Sequence, residues 1–94
     1  MTGPVPLKLV DSLVHLWCQD RLQGGEFEWS LDAAGMKVGL RIACPGCKSV
    51  CATPFQGPVA WQWDGNEEKP TITPSINHVG CWHGWLKEGV LQPC

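Results

Sequence analysis

Cys44-Pro45-Gly46-Cys47 stands mid-chain, and Cys81-Trp82-His83 with Cys94 stands at the end. This split set of soft ligands constrains the fold more than any other feature. Two cysteines separated by two residues direct both sulfurs at one ion from a tight turn, and a later Cys/His group completes a tetrahedral Zn2+ site. Pro45 presets φ, and Gly46 supplies the conformational freedom the turn needs. Backbone N–H groups inside such a turn point at the thiolates and stabilise their charge. A chain of 94 residues builds one small core with a thin stability margin, so a structural metal would supply much of its folding free energy.

The formal net charge is −2, so no global field draws the chain to nucleic acid or to an acidic membrane. The longest apolar stretch, Leu7 to Cys18, is broken by Lys8, Asp11, Ser12 and His15. It falls far short of the ~20 apolar residues a membrane span needs. Met1 to Pro6 shows no basic segment leading into an apolar one. These features predict a cytoplasmic location, where thiols stay reduced. Clustered cysteines with a nearby histidine then point to metal rather than disulfides.

Asp11 or Ser12 caps an expected helix, in which Val10, Leu13, Val14 and Trp17 follow helical spacing. Gln23-Gly24-Gly25 ends it, and its apolar face, including Cys18, is expected to pack on a sheet. Phe27, Trp29 and Leu31, then Val38, Leu40 and Ile42, alternate with polar or small residues as a β-hairpin with one wet face. Glu26 and Glu28 are placed to pair with Lys37 and Arg41 across that face. The second strand delivers Cys44 to its turn. Near the C-terminus, Glu88-Gly89 reads as a tight turn between Trp82–Lys87 and Gly89–Pro93. That register sets His83 opposite Cys94, with Cys81 two residues away on the same face. The expected fold is α+β and mostly β: zinc-ribbon-like antiparallel hairpins with one N-terminal helix. It forms a single domain, with helix and hairpin in 1–43 and the ribbon-like part in 44–94.

Five candidate ligands compete for four places. The first set is Cys44, Cys47, Cys81 and His83, with Cys94 as alternative to Cys81. A Cys-x-His bite is tight for extended backbone, whereas a C-terminal residue frays. Cys51 reads as an inward-facing small residue of a strand. Cys51 and Cys18 are the weaker ligand candidates, His78 is a minor one that otherwise reads as a loop or surface residue, and His15 reads as a helix residue without a chemical role. Pro70 and Pro74 bracket an edge or irregular segment, whose path the hydroxyls of Thr71, Thr73 and Ser75 fix by bonding neighbouring backbone.

Trp61-Gln62-Trp63-Asp64-Gly65, then Pro70-Thr71-Ile72-Thr73-Pro74-Ser75-Ile76, preceded by the Cys-Pro-Gly-Cys turn and followed by Cys81, His83 and the Glu88-Gly89 hairpin, resembles a family of small uncharacterised proteins. Its members occur in bacteriophage and bacterial genomes. The resemblance covers Cys44 to Cys94 and implies a zinc-ribbon-like domain of phage type. Relatives read Cys-His adjacent, whereas here Trp82 separates Cys81 from His83. The segment before Cys44 lies outside the resemblance.

Thiolate donation lowers the Lewis acidity of zinc, and a site that closes at four ligands leaves no position for water. The expectation is therefore no enzyme, but a zinc-stapled protein-interaction module acting on a host or phage protein. Trp61, Trp63, Trp82 and Trp85 are its candidate partner-binding surface. The alternatives are a nucleic-acid-binding zinc ribbon, using Lys37, Arg41 and Lys48 with stacking tryptophans, and a zinc- or cysteine-dependent enzyme.

Overall fold

A computed structural model describes residues 3–94 and shows a mostly β protein with one short helix. In chain order the elements are β1 (Val5–Pro6), β2 (Lys8–Leu9), α1 (Leu13–Cys18), β3 (Glu26–Leu31), β4 (Lys37–Ala43), β5 (Val50–Pro54), β6 (Gln62–Trp63), β7 (Ile72–His78), β8 (Trp82–Lys87) and β9 (Val90–Pro93). They form two sheets, ordered β1-β9-β8-β7-β6 and β2-β3-β4-β5. β1 and β2 are adjacent in sequence yet join different sheets, so the N-terminal segment ties the two together.

The core lies between the sheets and follows strand parity. On β4, Leu40 and Ile42 point inward, with Phe27 beside them from β3. On β8, Trp82, Gly84 and Leu86 are buried while His83, Trp85 and Lys87 are exposed. Ile72, Ile76 and Leu91 complete the apolar layer. Each such side chain is worth roughly 1.5–3 kcal/mol on burial. The β8–β9 hairpin has the register the sequence predicts, with Lys87 opposite Val90 and Trp85 opposite Gln92. Its two turn residues, Glu88 and Gly89, both have positive φ (48° and 75°), as a type I′ turn requires. Thr71 accepts the N–H of Glu88 at 2.8 Å, so this hydroxyl does hold backbone.

The helix is shorter than expected. Ser12 caps it by accepting the N–H of His15, and it ends at Cys18 rather than near Gly24. Asp20 adopts φ 55°, while its N–H bonds to Trp17 O and that of Arg21 to Leu16 O. That is a Schellman stop, which satisfies the last carbonyls and turns the chain away. Only Leu13 of the helix is buried; Val14 and Trp17 face solvent. Six residues give under two turns, too few for a continuous apolar stripe.

Pairing of charges on the polar face is partial. Arg41 contacts Glu28 at 3.3 Å, and Lys37 reaches Glu67 at 2.7 Å. Glu26 is 8% exposed and turns instead to the N–H groups of Gln23 and Gly24, at 2.9 and 2.8 Å. Burial acts to raise its pKa, but those backbone donors, with Lys8 nearby, outweigh it and hold the carboxyl below its usual range. A depressed carboxyl adds stability above its unfolded value, about pH 4.3, and loses it as pH falls through the folded value. Glu26→Gln should therefore cost about 1–2 kcal/mol at pH 7. The gap from the wild type should close below about pH 4, as measured by urea denaturation across that range.

Candidate active site and metal centre

At one end of the inter-sheet layer, cysteines from both sheets converge. Cys44 continues the inward parity of Leu40 and Ile42 beyond β4. Cys51 on β5 stands opposite Ile42 and so shares that face. From the other sheet come His78, the last residue of β7, and Cys81, just before β8. The donor atoms of Cys44, Cys51 and His78 lie within 4.8 Å of one another, and so do those of Cys47, His78 and Cys81. Two thiolates on one zinc, with bonds near 2.3 Å, sit about 3.8 Å apart. The cluster is therefore compatible with a metal ion.

Two tight turns, each with a Cys or His donor at its first residue and a Cys at its fourth, build this cluster. In Cys44-Pro45-Gly46-Cys47, the N–H of Gly46 points at Cys44 Sγ at 3.4 Å, and Lys48 N–H bonds to Cys44 O at 2.9 Å. In His78-Val79-Gly80-Cys81, Cys81 N–H bonds to His78 O at 2.9 Å, and Gly80 takes φ 81°. Positive φ at the third position is what a type II turn demands. Each turn thus presents one donor at its first residue and one at its fourth. The turns pack against each other so closely that a Cβ on Gly46 would collide with the carbonyl oxygen of Cys81.

The thiols respond to this crowding. Cys51 is pushed up to about 12, first by burial and then by the neighbouring Cys44. Cys47 is lowered, chiefly by its bond from the Ser49 backbone and then by Cys81, whereas Cys81 is raised by donating to Cys47 and by burial. A metal ion stabilises thiolates in such a cluster.

His83 lies elsewhere. It stands opposite Asn77 in the β7–β8 ladder, on the outer face. Strand parity separates it from Trp82 and from the cysteines. Its Nε2 lies 3.1 Å from Ser75 Oγ. An irregularity brings these two together: Ile72 pairs with Leu86 and Ile76 with Gly84, so Thr73, Pro74 and Ser75 share the space opposite Trp85. Cys94 is exposed, and its N–H bonds to His83 O at 2.9 Å. Of the five ligands expected from sequence, the fold gathers Cys44, Cys47 and Cys81, with His78 and Cys51 in place of His83 and Cys94. Cys81 belongs to a turn rather than to the strand, and that frees it from the parity it was expected to share with His83.

The four tryptophans occupy different environments. Trp82 is buried. Trp61 and Trp63 are half-buried against the core, and Trp63 stacks on Phe55 at 5.3 Å. Trp85 is exposed beside His83, with Lys87 Nζ 5.7 Å from its ring. Among the described residues, no helix is long and apolar enough to cross a membrane.

The family described as bacterial ubiquitination-like system serine protease (BubE) matches residues 13–94, and this chain belongs to it. No curated protein and no solved structure matches. The match takes in α1 and the β3–β4 hairpin, which the resemblance read from Cys44 onward left out. It corrects the functional expectation: a non-enzymatic interaction module or nucleic-acid ribbon gives way to a protease family that works in a system of protein partners. The family description also carries no phage association. No catalytic residue was expected, because Ser75 read as a backbone-bonding hydroxyl and His83 as a metal ligand.

Gly46→Ala should destabilise the protein by about 1–3 kcal/mol, since either turn must shift to admit the methyl group. Denaturant unfolding followed by tryptophan fluorescence measures this.

Proposed function

We propose that this protein is a serine protease whose catalytic pair is Ser75 and His83. The observation that carries this reading is the 3.1 Å contact between Ser75 Oγ and His83 Nε2. A nucleophile within hydrogen-bond reach of a base is the minimum unit of acyl-transfer catalysis. With His83 in the tautomer protonated at Nδ1, Nε2 accepts the Ser75 proton as Oγ attacks the substrate carbonyl carbon. The C–N bond breaks as His83 gives that proton to the departing amine, leaving an ester on Ser75. Water then attacks the ester, His83 takes its proton, and the C–O bond breaks to restore the Ser75 hydroxyl. The family description supports a protein substrate within a bacterial ubiquitination-like system, cut at an amide bond. The open strand face around the pair suits a substrate that itself covers the site and excludes water.

We further assign a structural Zn2+ to Cys44, Cys47, His78 and Cys81. The support is the pair of facing turns, each offering its first and fourth residues, which together supply the four thiolate-rich donors a closed zinc site takes. Cys51 then lies beside the site as a half-buried thiol, 3.0 Å from His78 Nδ1. On this assignment the zinc takes no part in the acyl transfer; bound, it supplies structure.

Ser75→Ala and His83→Ala should each cut amide hydrolysis by roughly a thousandfold or more while leaving metal content unchanged. A fluorophosphonate probe should modify wild-type protein at Ser75, located by peptide mass spectrometry. Modification at another serine, or none, would overturn the assignment. Metal analysis should give about one zinc per chain. Cys47→Ser should lose it, and Cys51→Ser should retain it.

A further inference from the structure

The two proposed sites share one hairpin. His78 closes β7 and Cys81 precedes β8, so together they form the ends of the turn that joins these strands. Ser75 lies three residues before His78, and His83 two residues after Cys81. The catalytic pair is thus the first outward-facing Ser–His contact below the turn. Between the turn and Ile72 the ladder is irregular: regular pairing holds at Ile76–Gly84, Asn77–His83 and His78–Trp82, then breaks across Thr73–Ser75. The strands beside the pair are therefore held in register from the turn side by only three residue pairs. On its other edge β8 is held by β9, so the Ser75 arm of β7 is the side of the pair that lacks regular pairing to β8.

We infer that the metal is the positioning device of the active site: His78 and Cys81, clamped to Cys44 and Cys47, fix the separation of β7 and β8 and hold Ser75 against His83. The inference rests on the catalytic and zinc assignments above. Its physical basis is reach. A contact of 3.1 Å between side chains on two strands changes with any shear or splay of those strands, and a misplacement of about 1 Å between reacting groups costs on the order of a hundredfold in rate. Clamping the turn from the opposite sheet removes both motions. Gly46 lies against the Cys81 carbonyl, so the first turn buttresses the second as well as sharing its ion. The inner face of β7 provides His78 while the outer face of β7 and β8 provides the catalytic pair, because His78 and Ser75 differ by an odd number of residues along one strand. His78 and Cys81 are thus positioning residues that never touch substrate.

The test compares the zinc-loaded protein, the chelated protein and a cadmium-loaded protein. Near-UV circular dichroism of the tryptophans restricts the comparison to folded molecules. The rate of Ser75 modification by the fluorophosphonate probe reports the pair, and half-saturating probe concentration reports binding. Cadmium keeps the three thiolate bonds and the imidazole bond but is a larger ion, so the turn closes on a wider tetrahedron. The expected result is a folded cadmium protein whose maximal modification rate falls at least fivefold while half-saturation stays within twofold. Folded chelated protein should fall further, at least tenfold, and recover on adding zinc. A folded cadmium or chelated protein that reacts at the zinc rate would overturn the coupling while leaving the catalytic assignment standing. A zinc-loaded protein without any reaction at Ser75 would overturn both. His78→Cys should bind zinc through four thiolates and restore most of the rate lost in His78→Ala; equal rates in these two variants would also end the proposal.

Discussion

The meeting of two tight turns at one end of the sandwich is the constraint on which the rest depends. One turn hangs from β4 and β5, the other from β7 and β8, and the two belong to different sheets. Besides the N-terminal segment, apolar contact joins the sheets, through Leu40, Ile42, Ile72, Leu86 and Leu91. For a domain of this size such a core leaves little net stability, because conformational entropy cancels nearly all of the burial term. A structural zinc binds with about 10–16 kcal/mol in comparable small peptides, as much as the whole net stability of an ordinary domain. The cluster therefore sits where it has most leverage, across the seam rather than within one sheet.

The same arrangement explains how one strand carries two chemistries. A strand alternates its side chains, so β8 gives Trp82, Gly84 and Leu86 to the core and His83, Trp85 and Lys87 to the outside. The core face of β8 is thereby committed to packing, and the outer face stays open to solvent. Gly84 shows how tight that commitment is: a Cβ there would run into Gln92 O and the Trp82 ring. The irregular stretch Thr73–Ser75 then brings a serine to the one outer position from which it reaches His83.

Several features were legible in the residues. Alternation placed the β3–β4 hairpin, and Glu88-Gly89 set the β8–β9 register. The Cys-Pro-Gly-Cys turn announced itself, since few other sequences suit that backbone. The second turn was equally visible, because His78-Val79-Gly80-Cys81 repeats the spacing and the glycine of the first. The expectation favoured His83 because Cys81-Trp82-His83 offered a nearer histidine, whereas the strand puts His83 on the outer face. The helix was overextended for a related reason: Val14 and Trp17 follow helical spacing, but the chain stops at Asp20 and leaves them in solvent.

By itself the sequence determined the local items: two glycine turns with soft donors at their ends, alternating strands, and a hairpin with a defined register. These follow from short-range sterics, which depend only on neighbouring residues. Which histidine faces the cysteines, and that Ser75 meets His83, only the tertiary structure decided. Both depend on how β7 and β8 pair around an irregularity and on which face of their sheet meets the other sheet. A one-residue change of register would exchange the two faces and with them the roles of His78 and His83.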